Sequence, residues 1–386
     1  MTGQSYDFII VGGGLAGAAL SYYLSQQENR VLLLEARNLC GGSSGACAGR
    51  AQIFECESEA YLDVVLAGFS KLERLGEELG CDLEWVTPGH LSLIQEEKDW
   101  ETCSRKVSWL KRRNIPAEML DQGQLRKEVP ILQSESFLGA AYAHEGHVNP
   151  FNLCMGYIQA ARRQGARVMA FTPVIGFQTV SGRITGVRTP EGIYSGAQVV
   201  VSGGAWSRDL LLLAGFDLPL RFTHAEAMIT EKLPPVLSRH VGMTGFYETV
   251  HGGNQSVTLG LGQHPNGSVL ISNAIQSATV IDQDSTFWGM PALAKALKRY
   301  FPIFGKVRIM RTWAAPSPFL PDYYPAIGWV PGADNLFIAA GFHLAVPTIP
   351  VLCADIAKSM MVGEPVERIV PYSPGRFVTK IREEAE

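Results

Sequence analysis

Residues 6–17 read Tyr-Asp-Phe-Ile-Ile-Val-Gly-Gly-Gly-Leu-Ala-Gly, and this stretch decides the fold. Its β-prone apolar run ends in the pattern Gly-x-Gly-x-x-Gly, and residues 18–26 continue with the composition of a helix. Residues 30–35 predict a second buried strand, which ends in the acid Glu35. Strand, glycine turn, helix, second strand and terminal acid, in this order, predict a site that binds a dinucleotide.

Three glycines and one acid of this unit each have a physical task. Gly12 permits the tight turn, Gly14 lets the backbone approach a pyrophosphate, and Gly17 allows the helix to pack closely on the strand. Glu35 is expected to accept hydrogen bonds from ribose hydroxyls, which argues against NADP but leaves FAD and NAD equally open. The residues of this unit that we expect to bind the cofactor are Gly12, Gly14, Leu15, Ala16, Gly17, Glu35, Ala36 and Arg37.

Composition favours a globular enzyme of two domains. Hydrophobic residues make up 46% and charged residues 18% of the 386 residues, which is enough apolar material for two cores. A net charge of −4 without a basic patch argues against nucleic acid as a partner. The seven cysteines are scattered without a Cys-x-x-Cys pair, so we expect a cytoplasmic protein without a disulfide framework or a metal site. The apolar runs are short or interrupted, and we predict no signal peptide and no membrane span.

A long loop of small residues follows the second predicted strand. Residues 41–50 read Gly-Gly-Ser-Ser-Gly-Ala-Cys-Ala-Gly-Arg, and their hydroxyl and amide groups can wrap a pyrophosphate and the edge of a flavin. With this loop the chain resembles the D-amino-acid-oxidase-like (DAO) flavoproteins, a family that includes glycine oxidase, sarcosine oxidases and the flavin subunits of heteromeric opine, hydroxyproline and proline dehydrogenases. The resemblance implies FAD as the cofactor, with Ser43, Ser44 and Arg50 among its contacts.

Further segments carry the resemblance along nearly the whole chain. Residues 146–150, Gly-His-Val-Asn-Pro, match the family's G-x-V-x-P start of a helix, and residues 168–188 and 199–207 match its adenine-side β-unit and GAWS turn. Residues 311–328 are similar to its R-x-W-A-G and P-D-x-x-P-x-x-G segments, and residues 336–341 to the strand before its flavin loop. The cofactor contacts that these segments imply are Val174, Gly203, Gly204, Trp206, Gly341, Phe342, His343, Leu344 and Ala345.

The resemblance also implies the fold class, which combines α/β and α+β structure. We expect an FAD-binding Rossmann-like domain of the GR2 type and an inserted, mostly antiparallel substrate domain. The FAD-binding domain is expected to be discontinuous, over 1–85, 140–215 and 322–386, with 86–139 and 216–321 forming the substrate domain. Apolar periodicity independently predicts a core helix over residues 60–79.

Family members oxidise a C–N bond by passing a hydride equivalent from the substrate carbon to flavin N5, which leaves an imine. The resemblance thus implies an amine or amino-acid dehydrogenase or oxidase, with substrates of the secondary amino acid or opine type. Members with covalent flavin use a cysteine in the segment that corresponds to residues 311–322; this chain has none there, so FAD is expected to be non-covalent. The last predicted helix, after residues 341–347, would aim backbone N–H groups at negative charge on the flavin.

Two segments depart from the family pattern on the substrate side. Residues 314–318 read Ala-Ala-Pro-Ser-Pro where glycine-oxidase-like members have A-G-L-R-P, so Ser317 replaces the arginine that binds the substrate carboxylate. Arg50 is the leading substitute, because a buried carboxylate without a partner is costly, although a role in bonding loop carbonyls is equally open. The family's flavin loop usually reads G-F-S-G-H-G, whereas residues 341–346 of this chain read Gly-Phe-His-Leu-Ala-Val. His343 in this loop fits a contact to the flavin ring, a base or a structural role.

The catalytic candidates are therefore Arg50, His343 and His251, and no metal ligand is predicted. His224 is a weaker candidate, and Tyr247 and Trp313 are candidates for pocket walls. The loop Ser-Gly-Ala-Cys-Ala-Gly looks most like the flavin subunits of heteromeric dehydrogenases, which implies electron-accepting partner subunits beside a small amine or amino-acid substrate. Two other functions stay open: oxidation of a 2-hydroxy acid on the same scaffold, and an electron-relay or scaffold subunit that has lost its substrate arginine.

Overall fold

The computed structural model describes residues 5–245 and 255–381. Two eight-stranded sheets organise this part of the chain. Tyr6–Val11 lies inside the first sheet, because it pairs in parallel with Val31–Leu34 on one side and with Gly192–Val201 on the other. Six of its strands are, in spatial order, Ala326–Trp329, Leu336–Ala340, Gly192–Val201, Tyr6–Val11, Val31–Leu34 and Arg167–Met169. The other two branch from this row, since Arg183–Thr189 pairs with Gly192–Val201 and Gly176–Val180 pairs with Arg183–Thr189.

The first sheet is covered on both faces, which explains the continuous apolar runs of its central strands. Phe8 and Ile10 face a core formed with helices, whereas Ile9 and Val11 face a second core on the other side. The helices of the first core pack against one another and are Leu15–Ser25, Glu59–Leu79, Pro150–Arg163 and Ala345–Val362.

The second sheet is mostly antiparallel. Its order is Ile309–Phe319, Arg221–Lys232, Ser268–Ala278, Ser256–Gln263, His240–Met243, His90–Ile94, Gly139–Ala143 and Ala117–Asp121. Among the described pairs of this sheet, His240–Met243 and His90–Ile94 alone run parallel. Helix Gly289–Tyr300 packs on this sheet and closes a third core.

The remaining elements are short and connect or extend these layers. The other strands are Arg50–Ala51, Gly146–His147, Phe216–Asp217 and Thr379–Lys380. The other helices are Ser43–Ala46, Glu97–Arg112, Gln122–Glu128 and Ser207–Leu212, with 3-10 turns at Ser134–Ser136, Gly204–Trp206, Pro302–Lys306, Glu367–Tyr372 and Pro374–Arg376.

The predicted fold class is confirmed, since a Rossmann-like sheet lies beside a mostly antiparallel one. The helix predicted over residues 60–79 is Glu59–Leu79, which begins after the cap Ser58 and ends at Gly80 in the left-handed region. The domain boundaries stay a prediction. Strand Gly139–Ala143, which spans the predicted boundary at residue 140, pairs within the second sheet.

One helix in the described part of the chain, Ala345–Val362, is long and apolar enough to cross a membrane. Within the protein 67% of it is buried, and it packs against Leu15–Ser25 and Glu59–Leu79. Such burial is typical of a core helix, whose apolar surface is covered by its neighbours.

Candidate active site

A cavity of about 590 Å³ lies between the two sheets. Val11 and Leu34 line it from the first sheet, and Ala227, Thr258 and Leu270 line it from the second. The dinucleotide pattern at one end and the antiparallel sheet at the other therefore share one enclosed space.

The glycine turn has the close contacts that its pattern predicts. Gly12 has φ of 114°, and a Cβ there would lie 2.5 Å from the carbonyl oxygen of Ser202. A Cβ on Gly17 would lie 1.9 Å from the carbonyl oxygen of Gly12, so the helix packs on the turn as closely as glycine allows. The helix begins after Gly14, which lacks a capping side chain and lines the cavity. A helix N-terminus on a cavity wall suits an anion.

Glu35 holds the turn through two backbone contacts. Its carboxylate accepts hydrogen bonds from the N–H of Gly13 at 2.6 Å and of Arg37 at 2.8 Å. The Arg37 guanidinium in turn lies 4.5 Å from the ring centroid of Trp206. Glu35, Arg37, Trp206 and Val174 all line the cavity, so they form one wall at this end.

The loop over residues 41–50 connects the glycine turn to the second sheet. The Ser44 hydroxyl accepts a hydrogen bond from the Leu15 N–H at 2.9 Å, and the Ser43 hydroxyl donates to the carbonyl oxygen of Pro316. The Trp313 indole N–H donates to the carbonyl oxygen of Ala46 at 2.8 Å. The loop thereby covers the middle of the cavity.

A second helix N-terminus opens on the same cavity. Helix Ala345–Val362 begins after Leu344, which has φ of 48° and provides no side-chain cap. Gly341 to Ala345 line the cavity beside this terminus. Two helix N-termini and a glycine-lined turn open on this cavity, and Glu35 follows the second strand beside them. These features fit a dinucleotide cofactor whose pyrophosphate and flavin oxygens carry negative charge.

Arg50 lies on the cavity wall, and no carboxylate of the described residues forms an ion pair with it. Its Nη1 is 3.0 Å from His90 Nδ1, and its Nη2 donates to the carbonyl oxygen of Leu261 at 2.8 Å. Among residues 5–245 and 255–381, no ion pair includes Arg50. The negative charges of Glu145 and Glu55 raise its pKa. Burial lowers the pKa of Arg50 to about 10, so the guanidinium stays charged at neutral pH.

The predicted cofactor residues lie together. All of them except Gly17 line the cavity, and Gly17 lies behind the turn, where it lets the helix approach. Their individual roles stay predictions.

The other candidates are more dispersed. His343 lines the cavity, its ring stacks on Tyr61 with 6.4 Å between centroids, and its carbonyl oxygen accepts from the Tyr61 hydroxyl. Trp313 holds the loop and is not among the lining residues. His251 and Tyr247 lie outside the described residues.

Several polar residues on the cavity wall were not predicted from the sequence, among them Glu226, His90 and Asn273. Glu226 is buried and accepts hydrogen bonds from the Thr286 N–H at 3.0 Å and from its hydroxyl. His224, the weaker candidate, is buried behind Glu226 with 3.6 Å between Nε2 and the carboxylate, and it does not line the cavity. No spacing along the chain marks these residues, because only the strand order of the second sheet brings them to the cavity.

Comparison with known proteins decides the family. The family model described as DAO, FAD dependent oxidoreductase, matches residues 7–358. The chain belongs to the DAO family. The predicted family, its FAD cofactor and the class of enzyme are thereby confirmed.

Individual relatives of this DAO protein are distant but cover it along its length. Hydrogen cyanide synthase subunit HcnC of Pseudomonas aeruginosa is 23% identical, covering 97% of this chain and 97% of that protein. Glycine oxidase of Geobacillus kaustophilus is 26% identical, covering 97% and 98%. The crystal structure of L-proline dehydrogenase from P. horikoshii superposes with a TM-score of 0.86 at 22% identity, covering 97% and 98%. The last comparison establishes the fold alone.

Proposed function

We propose that this DAO protein oxidises the C–N bond of a small amine or amino acid of the secondary amino acid or opine type. The observation that carries the proposal is Arg50, a half-buried cation without a carboxylate contact in the described chain, on the wall of the cavity that also contains the dinucleotide cradle. The relatives named glycine oxidase and L-proline dehydrogenase support a substrate that carries both an amine and a carboxylate.

The cofactor would be held at the two helix starts. Gly12, Gly14 and Ser44 would surround the pyrophosphate, while Glu35, whose oxygens keep a second lone pair each, would accept from the ribose. Bound FAD supplies the two-electron acceptor for a hydride equivalent. The backbone N–H groups at the start of Ala345–Val362 would stabilise negative charge on the flavin side of the cavity.

Arg50 would bind and orient the substrate. A guanidinium has five N–H donors, and the contacts to His90 and Leu261 use two of them. The remaining donors can hold a carboxylate in the charge-assisted, forked geometry that fixes direction as well as position. Holding the carboxylate fixes the adjacent C–H bond, which is what an oxidation by hydride transfer requires.

His343 would contact the cofactor rather than accept a proton from the substrate. It follows Gly341 and Phe342 on the cavity wall, and its backbone oxygen is tied to Tyr61 and Thr348. These two contacts fix the loop at the start of the last helix. The role proposed for His251 rests on the sequence alone.

We propose electron-accepting partner subunits and a cytoplasmic location as well. HcnC is by its name a subunit of a synthase, and this chain aligns with nearly all of it. All seven cysteines are free, which suits a reducing compartment. Co-purification from cells that express the neighbouring genes would test the partners.

Anaerobic mixing of the flavin-loaded protein with candidate substrates tests the proposed function. We expect proline, sarcosine or an N-carboxyalkyl amino acid to bleach the flavin absorption at about 450 nm. Hydroxyglutarate serves as the comparison, because bleaching by this acid alone would favour oxidation of an alcohol. Failure of every amine and amino acid to bleach the flavin would overturn the proposal.

A further inference from the structure

A β-bulge in strand Ser268–Ala278 places two neighbouring polar side chains on the cavity wall. In a regular strand, adjacent side chains point to opposite faces of the sheet. Here the pairing with strand Arg221–Lys232 skips Asn273, which is the extra residue of the bulge. Ser272 and Asn273 therefore both line the large cavity, although they follow each other in the chain.

The bulge gives Asn273 a backbone conformation that costs free energy. Its φ is 82°, in the left-handed region, where a Cβ is disfavoured. Glycine would form the same bulge without this cost, so the backbone alone does not require an amide side chain. A strained residue on a cavity wall indicates that the direction of its side chain is functional.

Three polar side-chain atoms converge above Gly260, which lines the cavity and pairs with Ser272 on the next strand. A Cβ on Gly260 would lie 3.0 Å from Asn273 Nδ2 and 3.2 Å from Ser272 Oγ. The same position is 3.7 Å from Arg50 Nη2. We call the space above Gly260, between Arg50, Ser272 and Asn273, the donor pocket.

The groups around the donor pocket have unused hydrogen-bonding capacity. Ser272 is only 9% exposed, and its hydroxyl and the Asn273 amide form no hydrogen bond within residues 5–245 and 255–381. The contacts of Arg50 with His90 and Leu261 use two of its five N–H donors. Because buried polar groups are nearly always satisfied, this arrangement favours a ligand that brings acceptors.

The chemistry of these groups selects the kind of ligand. A guanidinium has donors only, and an amide nitrogen and a hydroxyl donate as well. An ionised carboxylate has only acceptors and carries the charge that matches Arg50. An ester lacks this charge, and an amide also directs its own N–H groups at other donors. The donor pocket therefore fits a carboxylate better than either neutral derivative.

We propose that Ser272 and Asn273 complete a carboxylate subsite with Arg50 above Gly260, and that this subsite restricts the substrates to amines that carry a free carboxylate. The inference rests on the proposed function and narrows it, since simple amines, amides and esters would be poor substrates. Ser272 and Asn273 would contact the carboxylate directly. Gly260 would determine specificity, because its missing side chain leaves room for the anion.

Acetate and acetamide test the subsite without turnover, because they are similar in size and differ in charge. Each is titrated into the flavin-loaded protein, and the heat of binding and the flavin spectrum report the affinity. We expect acetate to bind at least about tenfold more tightly than acetamide, since its hydrogen bonds are charge-assisted. Equal affinities, or no binding of acetate, would overturn the proposal.

Asn273→Asp replaces a donor by a carboxylate of nearly the same size. We expect the affinity for acetate to fall at least about tenfold, because two like charges would meet in the donor pocket. Asn335→Asp is the matched control, since Asn335 also has a left-handed backbone, with φ of 67°, and does not line the cavity. Wild-type affinity in Asn273→Asp would refute the subsite.

Gly260→Ala fills the donor pocket with a methyl group. We expect at least about a tenfold loss of acetate affinity, because the methyl group occupies the place of the anion. The nearest atoms belong to side-chain ends that can shift, so flavin content and melting temperature should match those of Gly305→Ala, whose Cβ meets only Lys298 Cγ. A Gly260→Ala protein that binds acetate like the wild type would show that the anion does not bind above Gly260.

The restriction on substrates is tested with whichever amino acid bleaches the flavin. Its amide should bleach the wild-type flavin at least about tenfold more slowly at equal concentration. Gly260→Ala should raise the KM for the acid and change kcat less. Bleaching by the amide at the rate of the acid would overturn the restriction. If no amine or amino acid bleaches the flavin, the proposed function fails, and the acetate titrations still decide the subsite.

Discussion

At the scale of single residues, Arg50 determines what the cavity can recognise. Its guanidinium is held by His90 and by the carbonyl oxygen of Leu261, with no carboxylate contact in the described chain. A cation fixed in this way binds a negatively charged ligand most strongly, because desolvation strengthens the ion pair.

Arg50→Met removes the charge while it retains a long apolar side chain. We expect the KM for a carboxylate-bearing amine to rise about 100-fold, because the forked contact is lost. The methyl ester of the same amine should show little change between variant and wild type. Steady-state kinetics on the acid and ester pair checks this, and equal losses on both would assign Arg50 a purely structural role.

Ser317 offers the reciprocal test, since it lines the same cavity. The resemblance to glycine-oxidase-like members implies that Ser317 replaces their carboxylate-binding arginine. We expect the double variant Arg50→Met with Ser317→Arg to recover at least about tenfold of the lost carboxylate affinity, because a cation returns to the cavity. The matched control is Arg50→Met with Ser317→Gln, which adds length without charge. Equal affinities for the two double variants would show that Ser317 does not face the carboxylate.

Single residues also show what sequence alone can predict. The close approach of Gly17 to Gly12 was predictable, because both residues lie within one strand, turn and helix unit. The ribose contact of Glu35 stays a prediction. Glu226 and His90 were not predictable, because they reach the cavity through strand pairing between distant parts of the chain. Residues 246–254, which include His251, lie outside the described part, so that candidate remains a prediction.

At the scale of elements, the first helix is positioned by a contact that only glycine permits. A Cβ on Gly17 would lie 1.9 Å from the carbonyl oxygen of Gly12, so Leu15–Ser25 would have to move away from the sheet. The same movement would displace the helix start from the cavity wall.

Gly17→Ala is therefore expected to destabilise the fold by about 2 kcal/mol or more and to lower FAD occupancy strongly. Flavin content after purification and the denaturation midpoint are the measurements. Gly305→Ala is the matched control, since its added Cβ meets only Lys298 Cγ at 4.0 Å and should change both quantities little. Normal flavin content in Gly17→Ala would show that the helix start tolerates displacement.

At the scale of the whole molecule, the cavity joins the two sheets. The loop over residues 41–50 bonds to Leu15 on the first-sheet side and, through Ser43 and Ala46, to the strand Ile309–Phe319 of the second sheet. Fold class and cofactor were predictable from segments near the first sheet. The cavity wall formed by the second sheet was not predictable, because it depends on long-range strand register.

FAD bound in this cavity would contact both sheets, and removal of FAD should therefore weaken the whole molecule. At a concentration 100 times its dissociation constant, a ligand that binds only the folded state adds about 2.7 kcal/mol. We expect FAD to raise the melting temperature of the apoprotein by roughly 5 °C, since a chain of this size gains a few degrees per kcal/mol. ADP at the same concentration should give a smaller rise, because it fills only the glycine-turn end of the cavity and therefore has a larger dissociation constant. Calorimetric scans of apoprotein, ADP complex and FAD complex check this. An equal rise with ADP and FAD would mean that the cofactor stabilises the first sheet alone.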